Sequence, residues 1–323
     1  MTPKKILATI IKVLIGVLSL GVIYYKLKSD FTGDKLALLF TTVYSFKGIC
    51  IFLICLLLIP INWGIESYKW KIITRPVEEI SFKKAIQSVY SGVCLGNLAP
   101  GRATEFLAKI IFFKPENRSK ITLLHFVGGM FQLSVTIVFG MIALLFKFNN
   151  FSTDNFWVAY LVSALAVIMF AFFIACLFKI NKILSFVSKK ISNQKSIENF
   201  NYEFTKRQLV QLFGFSVLRY TVFFSQMYLL INLFQQQQFS TQILLGIWLY
   251  FLITSIVPMI SFIEAAVRTA VALIVFKNCG ISNATLALSS VLIWLINIVV
   301  PSIAGYFILV KQNFNFKLSP LKK

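Results

Sequence analysis

The chain alternates between apolar runs of about 20 residues and short polar segments. The uninterrupted runs occupy 6–25, 48–65, 121–146, 156–178, 209–234 and 284–310. A run of this length can cross a bilayer as a helix, and none of them shows the alternation of a half-buried strand. A helix also pairs its own backbone polar groups, as lipid requires. The pattern predicts an all-α polytopic membrane protein with about six full spans.

Two further apolar segments are each broken near the middle by a proline. The first interrupted segment, 81–113, contains NLAPGRATEFLAKI with the pair Pro100-Gly101, and the second interrupted segment, 243–276, breaks at Pro258. Each lies between full spans. Paired interrupted segments in corresponding places are typical of transporters built from inverted repeats, and they mark the binding site. We therefore expect two re-entrant hairpins and an inverted repeat.

Lysine and arginine counts in the short loops predict the orientation. Segment 179–208 contains seven of these residues and loop 69–84 contains five, whereas 147–154 contains one and 235–240 none. Loops rich in Lys and Arg stay in the cytoplasm. We expect both termini on the cytoplasmic side of the membrane. The first interrupted segment then enters and leaves from the cytoplasm, and the second from the opposite side.

These spans form one integral membrane domain in our interpretation. Its first half is 1–178 and its second half is 209–323, and a polar cytoplasmic linker, 179–208, joins them. Hydrophobic residues make up 58% of the chain and charged residues 13%, with a mean hydropathy of +0.81. A soluble domain carries about 25% charged residues. The composition therefore supports the membrane assignment.

The net charge of +21 would suggest a nucleic-acid partner in a soluble protein. Here the basic residues lie mainly in short loops, where they orient the chain and contact anionic headgroups. We expect membrane lipids as partners and no nucleic acid. The five cysteines form no CxxC pair and the chain has one histidine. Neither a metal nor a cofactor is expected.

Several charged residues lie inside apolar segments, where each costs about 2.5–3.5 kcal/mol unless it faces a protein interior or a watery cavity. They are Arg102, Glu105, Arg219, Glu264 and Arg268, with Glu66 at the inner end of run 48–65. Arg219 lies deep in its span without an acid in its own helix. Its partner is expected to be Glu66, Glu105 or Glu264, or a bound phosphate. The pairs Arg102–Glu105 and Glu264–Arg268 also have the spacing of simple ion pairs on a helix.

Uncharged polar residues add a candidate proton or polar relay. His125 and Gln132 are seven apart, as are Arg219 and Gln226, so each pair shares one helix face. The relay would consist of Glu66, His125, Gln132 and Gln226. A core histidine with satisfied hydrogen bonds is the other interpretation of His125. Trp63, Tyr68 and Trp70 are interpreted as an interfacial aromatic belt.

The Pro-Gly break also predicts an anion site. A helix that starts there presents unpaired N–H groups and the positive end of its dipole. With Arg102 beside it, this end would attract a lipid phosphate. The predicted substrate-binding residues are Asn97, Pro100, Gly101, Arg102, Glu105, Arg219, Pro258, Glu264 and Arg268.

The stretch NLAPGRATEFLAKI resembles the Pro-x-Arg-x-Gly-Glu signature of the membrane region of lysylphosphatidylglycerol synthases, a flippase-like integral membrane family. YKWKIIT at 68–74 resembles the basic-Trp-basic segment that precedes this signature, and VPMISFIEAAVRTAVALIVF at 257–276 resembles the second signature. The resemblance covers nearly the whole chain. Thr104 stands where the family usually has glycine, Lys109 is the basic residue after the glutamate, and the second signature lacks its glycines.

The resemblance implies a stand-alone member that moves an anionic or lipid-linked headgroup across the inner membrane, as a flippase or scramblase. In full-length synthases a soluble aminoacyl-transferase domain follows the membrane region. This chain continues for only thirteen residues past its last predicted span. We therefore expect no enzyme activity. No G-x-x-x-x-G-K-[ST] motif occurs, so transport would be passive or driven by an ion gradient.

Two alternatives remain open at this point. A membrane glycosyltransferase that uses polyprenyl-phosphate sugars would place acids in an early outward loop, where Asp30 and Asp34 lie. A non-transporting scaffold would instead partner a separate lipid-modifying enzyme. A homodimer is also left open.

Overall fold

The computed structural model describes residues 41–97, 102–148, 179–191, 203–235, 240–257, 263–277 and 279–311, with isolated positions between 164 and 175. The predicted span 6–25 and most of 156–178 lie outside the described residues. Within them the secondary structure is helical and contains no strand. The predicted all-α fold is confirmed.

The helices are α1 (Phe46–Thr74), α2 (Phe82–Gly96), α3 (Glu105–Ile110), α4 (Arg118–Phe148), α5 (Ile180–Ile191), α6 (Lys206–Gln235), α7 (Thr241–Ile256), α8 (Glu264–Val275), α9 (Asn283–Trp294) and α10 (Val300–Val310). A π-helical turn, Leu295–Val299, joins α9 to α10. In the described part of the chain, four helical segments are long and apolar enough to cross a membrane: α1, α4 with the turn before it, α6, and α9 through α10. They coincide with four of the predicted spans.

Serine side chains cap the starts of four helices. Ser45, Ser81, Ser240 and Ser282 each accept a hydrogen bond from the backbone N–H three residues further on. Each cap satisfies one of the N–H groups that the first helical turn leaves without a partner. Ser81 and Ser240 occupy corresponding places, because each starts the helix that leads into an interrupted segment.

Helices α1 and α6 pack against each other in antiparallel fashion. The Gln226 side chain donates to the carbonyl of Cys55, and further along α1 the Tyr68 ring lies 5.3 Å from the Phe215 ring. Residue numbers therefore rise along α1 as they fall along α6. The C-terminal ends of the two helices lie at opposite ends of the molecule.

Glu78, just beyond α1, closes the first interrupted segment. Its Oε2 accepts from the backbone N–H of Lys114 and from Asn117 Nδ2, each at 3.0 Å. Its Oε1 lies 3.5 Å from Lys84 Nζ at the start of the segment. The chain thus leaves the end of α1, runs through α2 and α3, and returns to the same end. This is the path of a re-entrant hairpin.

Gln235, at the end of α6, makes the corresponding closure of the second interrupted segment. Its Oε1 accepts from the backbone N–H of Ser282 at 3.0 Å and from Thr285 Oγ1 at 3.3 Å, and its Nε2 donates to the Gly280 carbonyl at 3.3 Å. This segment also returns to the place where it began. Because α1 and α6 are antiparallel, the two hairpins start from opposite ends of the molecule.

Packing between the two halves repeats in exchanged form. Helix α2 packs against α10, and α7 packs against α4. Glycines allow both approaches, because a Cβ at Gly305 would meet the Tyr90 carbonyl and a Cβ at Gly140 would meet the Leu252 side chain. In an inverted repeat α1 corresponds to α6, α2 to α7, and α4 to the segment from α9 through α10. The α2–α10 contact then corresponds to the α7–α4 contact, and the α1–α6 pair corresponds to itself. The helix arrangement agrees with the predicted inverted repeat.

Part of the predicted linker is an amphipathic helix, α5. Ile180 and Leu184 are buried on one side of it, whereas Phe186 is exposed. The Asn181 side chain accepts from the backbone N–H of Phe204 at 2.9 Å and donates to its carbonyl at 3.0 Å. This helix was not predicted from the sequence, and the Asn181 hydrogen bonds anchor it to the segment that leads into α6.

Candidate functional site

A cavity of about 460 Å³ lies between the interrupted segments and the long helices. We call it the charged cavity. Its charged lining residues are Glu66 of α1, Arg102, Glu105 and Lys109 of the first interrupted segment, Arg219 of α6, and Glu264 and Arg268 of α8. Both interrupted segments therefore contribute charge to one site, although they start from opposite ends of the molecule.

Glu66 is the centre of an ion-pair cluster. Its Oε2 lies 2.8 Å from Lys69 Nζ and 3.2 Å from Arg219 Nη1, and its Oε1 lies 4.0 Å from Lys109 Nζ. Of the three acids considered for Arg219, the structure pairs it with this one. Helix α1 continues well beyond Glu66, which therefore lies inside the helix and not at its end. The surrounding cations offset the cost of burying its carboxylate.

Lys109 extends this cluster into the first interrupted segment. It is 2% exposed, and its Nζ lies 2.8 Å from Glu105 Oε1 and 3.5 Å from His125 Nδ1. The ammonium group also lies 5.0 Å from the centre of the Trp70 ring. Its aliphatic stem passes Gly92, where a Cβ would come within 2.8 Å of it. The basic residue at this place is thus an ion-pair partner inside the cavity.

Arg102 has a left-handed backbone conformation, with φ of 57°. This region costs a non-glycine residue about 1–2 kcal/mol. Arg102 Nε lies 3.6 Å from Glu105 Oε2, and the side chain is 36% exposed. Neither Nε nor Nη2 has a hydrogen-bond partner among the described residues. Arg102 therefore has N–H groups that can donate hydrogen bonds to a bound anion.

The second interrupted segment contains the ion pair that its spacing predicts. Glu264 Oε1 accepts from Arg268 Nε at 3.0 Å and from Arg268 Nη2 at 2.8 Å. Glu264 is the first residue of α8, as Glu105 is the first residue of α3. Each of these glutamates pairs with a base four residues on, Arg268 and Lys109 respectively. The two breaks therefore carry the same acid–base arrangement.

The predicted anion site at the start of α3 needs correction. This helix has only six residues, and its first turn carries Glu105. The glutamate carboxylate supplies the negative charge that a helix N-terminus favours. An anion in the charged cavity would instead contact cationic side chains.

The candidate relay residues lie in two different places. His125 and Gln132 line the charged cavity from one face of α4, and Gln132 Oε1 has no hydrogen-bond partner in the described part of the chain. Glu66 lines the same cavity. Gln226 is fully buried and does not line it. The structure therefore brings three of the four together.

Gln226 belongs to a buried chain of amides that leads away from the cavity. Arg219 Nε donates to Asn62 Oδ1 at 3.0 Å, and Asn62 Nδ2 donates to Asn297 Oδ1 at 3.0 Å. Asn297 Nδ2 then donates to Gln226 Oε1 at 2.8 Å, and Gln226 Nε2 donates to the Cys55 carbonyl at 3.0 Å. The chain links α1, α6 and the π-helical turn, and it holds the Arg219 guanidinium in place.

A second cavity of about 190 Å³ adjoins the charged cavity. We call it the aromatic pocket. Its own lining residues are Tyr220, Phe223, Phe251, Ile293, Trp294, Asn297 and Ile298. Eight of the described residues line both cavities, and three of them are the arginines Arg102, Arg219 and Arg268. The Arg219 guanidinium carbon lies 4.7 Å from the Trp63 ring centre and 5.3 Å from that of Phe223. The three arginines therefore lie at the boundary between the two spaces, and Arg219 contacts the rings on the aromatic side.

The other predicted binding residues are not part of the charged cavity as the structure describes it. One of them lies elsewhere, and three lie outside the described residues. Asn97 donates to Ser302 Oγ at 2.5 Å and thereby ties the end of α2 to α10. Pro100, Gly101 and Pro258 lie outside the described residues, as do Asp30 and Asp34 of the glycosyltransferase alternative.

Sequence reasoning missed several residues of the site. Lys69 was counted only as a loop base, although its spacing of three from Glu66 is that of a helical ion pair. Asn62 and Asn297 are single amides within apolar runs, and such residues are costly in lipid. Trp63 and Trp70 were assigned to an interfacial belt, but each is 2% exposed and lines the charged cavity. That interpretation of the two tryptophans is wrong.

The charge balance of the site favours an anionic ligand. Five cations, the four that line the charged cavity and Lys69, face three carboxylates. Arginine binds phosphate with directed, charge-assisted hydrogen bonds. No group of three or more His, Cys, Asp or Glu side chains that could hold a metal occurs in the ranges that the structure describes.

Comparison with curated proteins finds no match. A family model described as "Lysylphosphatidylglycerol synthase TM region" matches residues 9–305. The match spans α1 through α9, part of α10, both interrupted segments and every described residue of the charged cavity. The protein therefore belongs to the lysylphosphatidylglycerol synthase TM region family.

Proposed function

We propose that this membrane protein binds the anionic headgroup of a lipid in the charged cavity and moves it across the inner membrane as a flippase or scramblase-like transporter. The headgroup belongs to an anionic phospholipid or to a lipid-linked sugar, and the protein itself performs no enzymatic step. Its termini lie in the cytoplasm. The observation that carries the proposal is that Arg102 and Arg268, from hairpins that start at opposite ends, line one cavity.

Exchange of anions explains how a phosphate could enter such a site. Glu105 and Glu264 hold Lys109 and Arg268 in the structure as it stands. A phosphate oxygen can take the place of a carboxylate oxygen on either cation. The cation then keeps a negative partner throughout, and this avoids the high cost of a buried unpaired charge.

The inverted arrangement suits access from alternate sides. One hairpin from each end of the molecule contributes residues to the lining of the cavity. Transporters with this symmetry move one repeat against the other around a fixed site. Outward and inward states would then use the same cations, because Glu66 and Arg219 join the two halves at the cavity.

Translocation can be measured with purified protein in phosphatidylcholine liposomes that contain a fluorescent phosphatidylglycerol or a fluorescent prenyl-phosphate sugar. Dithionite quenches only the probe in the outer leaflet. We expect the wild type to expose the inner pool of at least one probe and Arg102→Gln to slow this at least about tenfold, because a hydrogen bond to a charged group contributes about 1.5–3 kcal/mol. Thermal unfolding should be nearly unchanged, since the Arg102 side chain is 36% exposed and its ion pair with Glu105 is long at 3.6 Å.

Arg75→Gln is the matched control. Arg75 Nε lies 3.6 Å from Glu79 Oε1, the same separation as in the Arg102–Glu105 pair, but Arg75 is 69% exposed and outside the cavity. Its loss should leave the rate unchanged. Equal rates for wild-type and protein-free liposomes with every probe would refute the proposed transport. Equal slowing by both substitutions would refute the charged cavity as the site.

A further inference from the structure

The aromatic pocket is continuous with the charged cavity, because eight residues in the described part of the chain line both, among them Trp63, Arg219 and Arg268. The charged cavity is rich in ionic groups. Apart from Asn297, the described residues that line only the aromatic pocket carry rings or aliphatic side chains, among them Phe223, Phe251 and Ile298. An amphiphile with an anionic end and an apolar end therefore matches the two spaces, with its anionic end near the arginines that line both.

Two polar atoms in the aromatic pocket lack partners. Tyr220 is 3% exposed, and its hydroxyl has no hydrogen bond among the described residues. Trp294 Nε1 is also buried and also lacks a hydrogen-bond partner in the described part of the chain. A buried donor without a partner costs about 1–3 kcal/mol, and native proteins seldom leave such groups without a reason. Both side chains line the pocket, so both donors fit ligand oxygens.

We propose that the aromatic pocket holds the first part of a lipid's apolar chain. Tyr220 Oη and Trp294 Nε1 donate to the oxygens that connect this chain to the phosphate. The phosphate lies beyond Arg219, in the charged cavity. The chain leaves between α6, α7 and the π-helical turn, which supply the walls of the pocket. The proposal rests on the proposed function for the headgroup, but it assigns a separate subsite.

Three soluble probes test the subsite by calorimetric titration of the full chain in a neutral sugar detergent. Glycerol 3-phosphate has a headgroup alone, dihexanoyl phosphatidic acid adds two ester-linked chains, and geranyl phosphate adds a prenyl chain without esters. We expect at least one amphiphile to bind at least about tenfold more tightly than glycerol 3-phosphate, because each buried CH₂ contributes about 0.8 kcal/mol. Equal affinity for all three would overturn the proposal.

Substitutions locate the chain. Ile298→Trp should fill the pocket and weaken the amphiphiles at least about tenfold, with glycerol 3-phosphate unaffected. Ile303→Trp is the matched control, because Ile303 lies in the same helical segment and is 54% exposed. An equal loss in both variants, or no loss in Ile298→Trp, would overturn the assignment.

Tyr220→Phe tests the donors and keeps the ring that stacks on Phe139 at 4.9 Å. We expect it to weaken an amphiphile about three- to tenfold and to leave the unfolding temperature unchanged or higher, because it removes an unpaired hydroxyl. A loss confined to dihexanoyl phosphatidic acid assigns the hydroxyl to an ester oxygen. A loss for both amphiphiles assigns it to the oxygen that bridges phosphate and chain. No loss for either would overturn its role.

The two proposals fail in different experiments. If the amphiphiles bind as expected but no probe crosses the liposome membrane, transport is refuted and the subsite stands. If probes cross while glycerol 3-phosphate binds as tightly as the amphiphiles, the subsite is refuted and transport stands.

Discussion

Glu66 and Arg219 form an ion pair across the interface between the two halves of the chain, with 3.2 Å between Oε2 and Nη1. Arg219 is 8% exposed, and it also donates to Asn62 at 3.0 Å. The pair therefore joins the wall of the charged cavity to the buried amide chain. It also lies where α1 and α6 pack together. The same ion pair therefore holds these two helices together and positions two charged residues of the cavity.

This pair should show strong energetic coupling. Glu66→Gln or Arg219→Gln alone leaves a buried charge with a missing partner and should destabilise the protein by about 3–5 kcal/mol. The double variant should lose less than the sum, with a coupling of about 1–3 kcal/mol. Denaturation in detergent micelles measures this cycle. The exposed pair Arg75–Glu79 is the control, with expected coupling below about 1 kcal/mol. Additive effects at Glu66 and Arg219 would contradict the prediction.

The amide chain should be sensitive to a single apolar substitution. Asn297→Leu leaves Asn62 Nδ2 and Gln226 Oε1 without their partners, at about 1–3 kcal/mol for each group. Ser289 provides the control, because it is fully buried on α9 and its hydroxyl has no hydrogen-bond partner in the described ranges. Ser289→Ala should be neutral or stabilising. The free energy of unfolding of both variants is measured under the same conditions. Similar losses of stability in the two variants would argue against a stabilising role for the amide chain.

Close packing of α2 against α10 should make Gly305 intolerant of even a methyl group. A Cβ there would clash with the Tyr90 carbonyl oxygen, so the backbone must move. Overpacking of this kind costs about 1–3 kcal/mol. Gly214 of α6 has no atom within 4 Å of such a Cβ. Gly214→Ala should therefore stabilise the helix by about 0.5–1 kcal/mol. Thermal unfolding of Gly305→Ala and Gly214→Ala measures both effects. A change in unfolding temperature of the same sign in both variants would refute this packing.

The closure at Glu78 should depend on pH. Burial acts to raise the pKa of Glu78, but hydrogen bonds from Asn117 and from the Lys114 backbone, together with the Lys84 charge, outweigh it and hold the pKa below its ordinary 4.5. Because the folded pKa is lower than the unfolded one, the ionised carboxylate stabilises the fold above pH 4.5. This contribution is lost as the pH falls through the folded value.

We therefore expect Glu78→Gln to cost about 1–2 kcal/mol at pH 7 and less at pH 3. Thermal unfolding at the two pH values measures the difference. Glu79→Gln is the control, since Glu79 is 64% exposed and should contribute little at either pH. A loss from Glu78→Gln that is the same at pH 3 and pH 7 would exclude the carboxylate as the cause.

Some parts of this site followed directly from local rules. The Glu264–Arg268 pair was predicted from its spacing, because residues four apart on a helix are neighbours whatever the rest of the fold does. His125 and Gln132 share a face for the same reason. The N-cap serines were equally local, and a search for Ser before apolar periodicity would have found them.

Contacts between distant segments did not follow from such rules. Arg219 had three acidic candidates, and nothing in its own helix distinguishes Glu66 from Glu105 or Glu264. From the sequence, Lys109 was noted only as a departure from the family signature. Its burial could not be predicted, because it depends on α3 packing against α2 at Gly92. Trp63 and Trp70 fit an interfacial belt equally well until the orientation of α1 is known.

The sequence by itself determined the all-α membrane fold, four of the spans and the two interrupted segments, because apolar length and proline breaks act through the local backbone and its solvent. The positive excess of the site was not among these results, because it comes from Lys69 and Lys109, which only the fold brings to Glu66 and Glu105. Only the tertiary structure decided which charges meet. That choice depends on how α1 and α6 cross and where the hairpins return, and these are set by packing between segments more than 150 residues apart, as between Asn62 and Arg219.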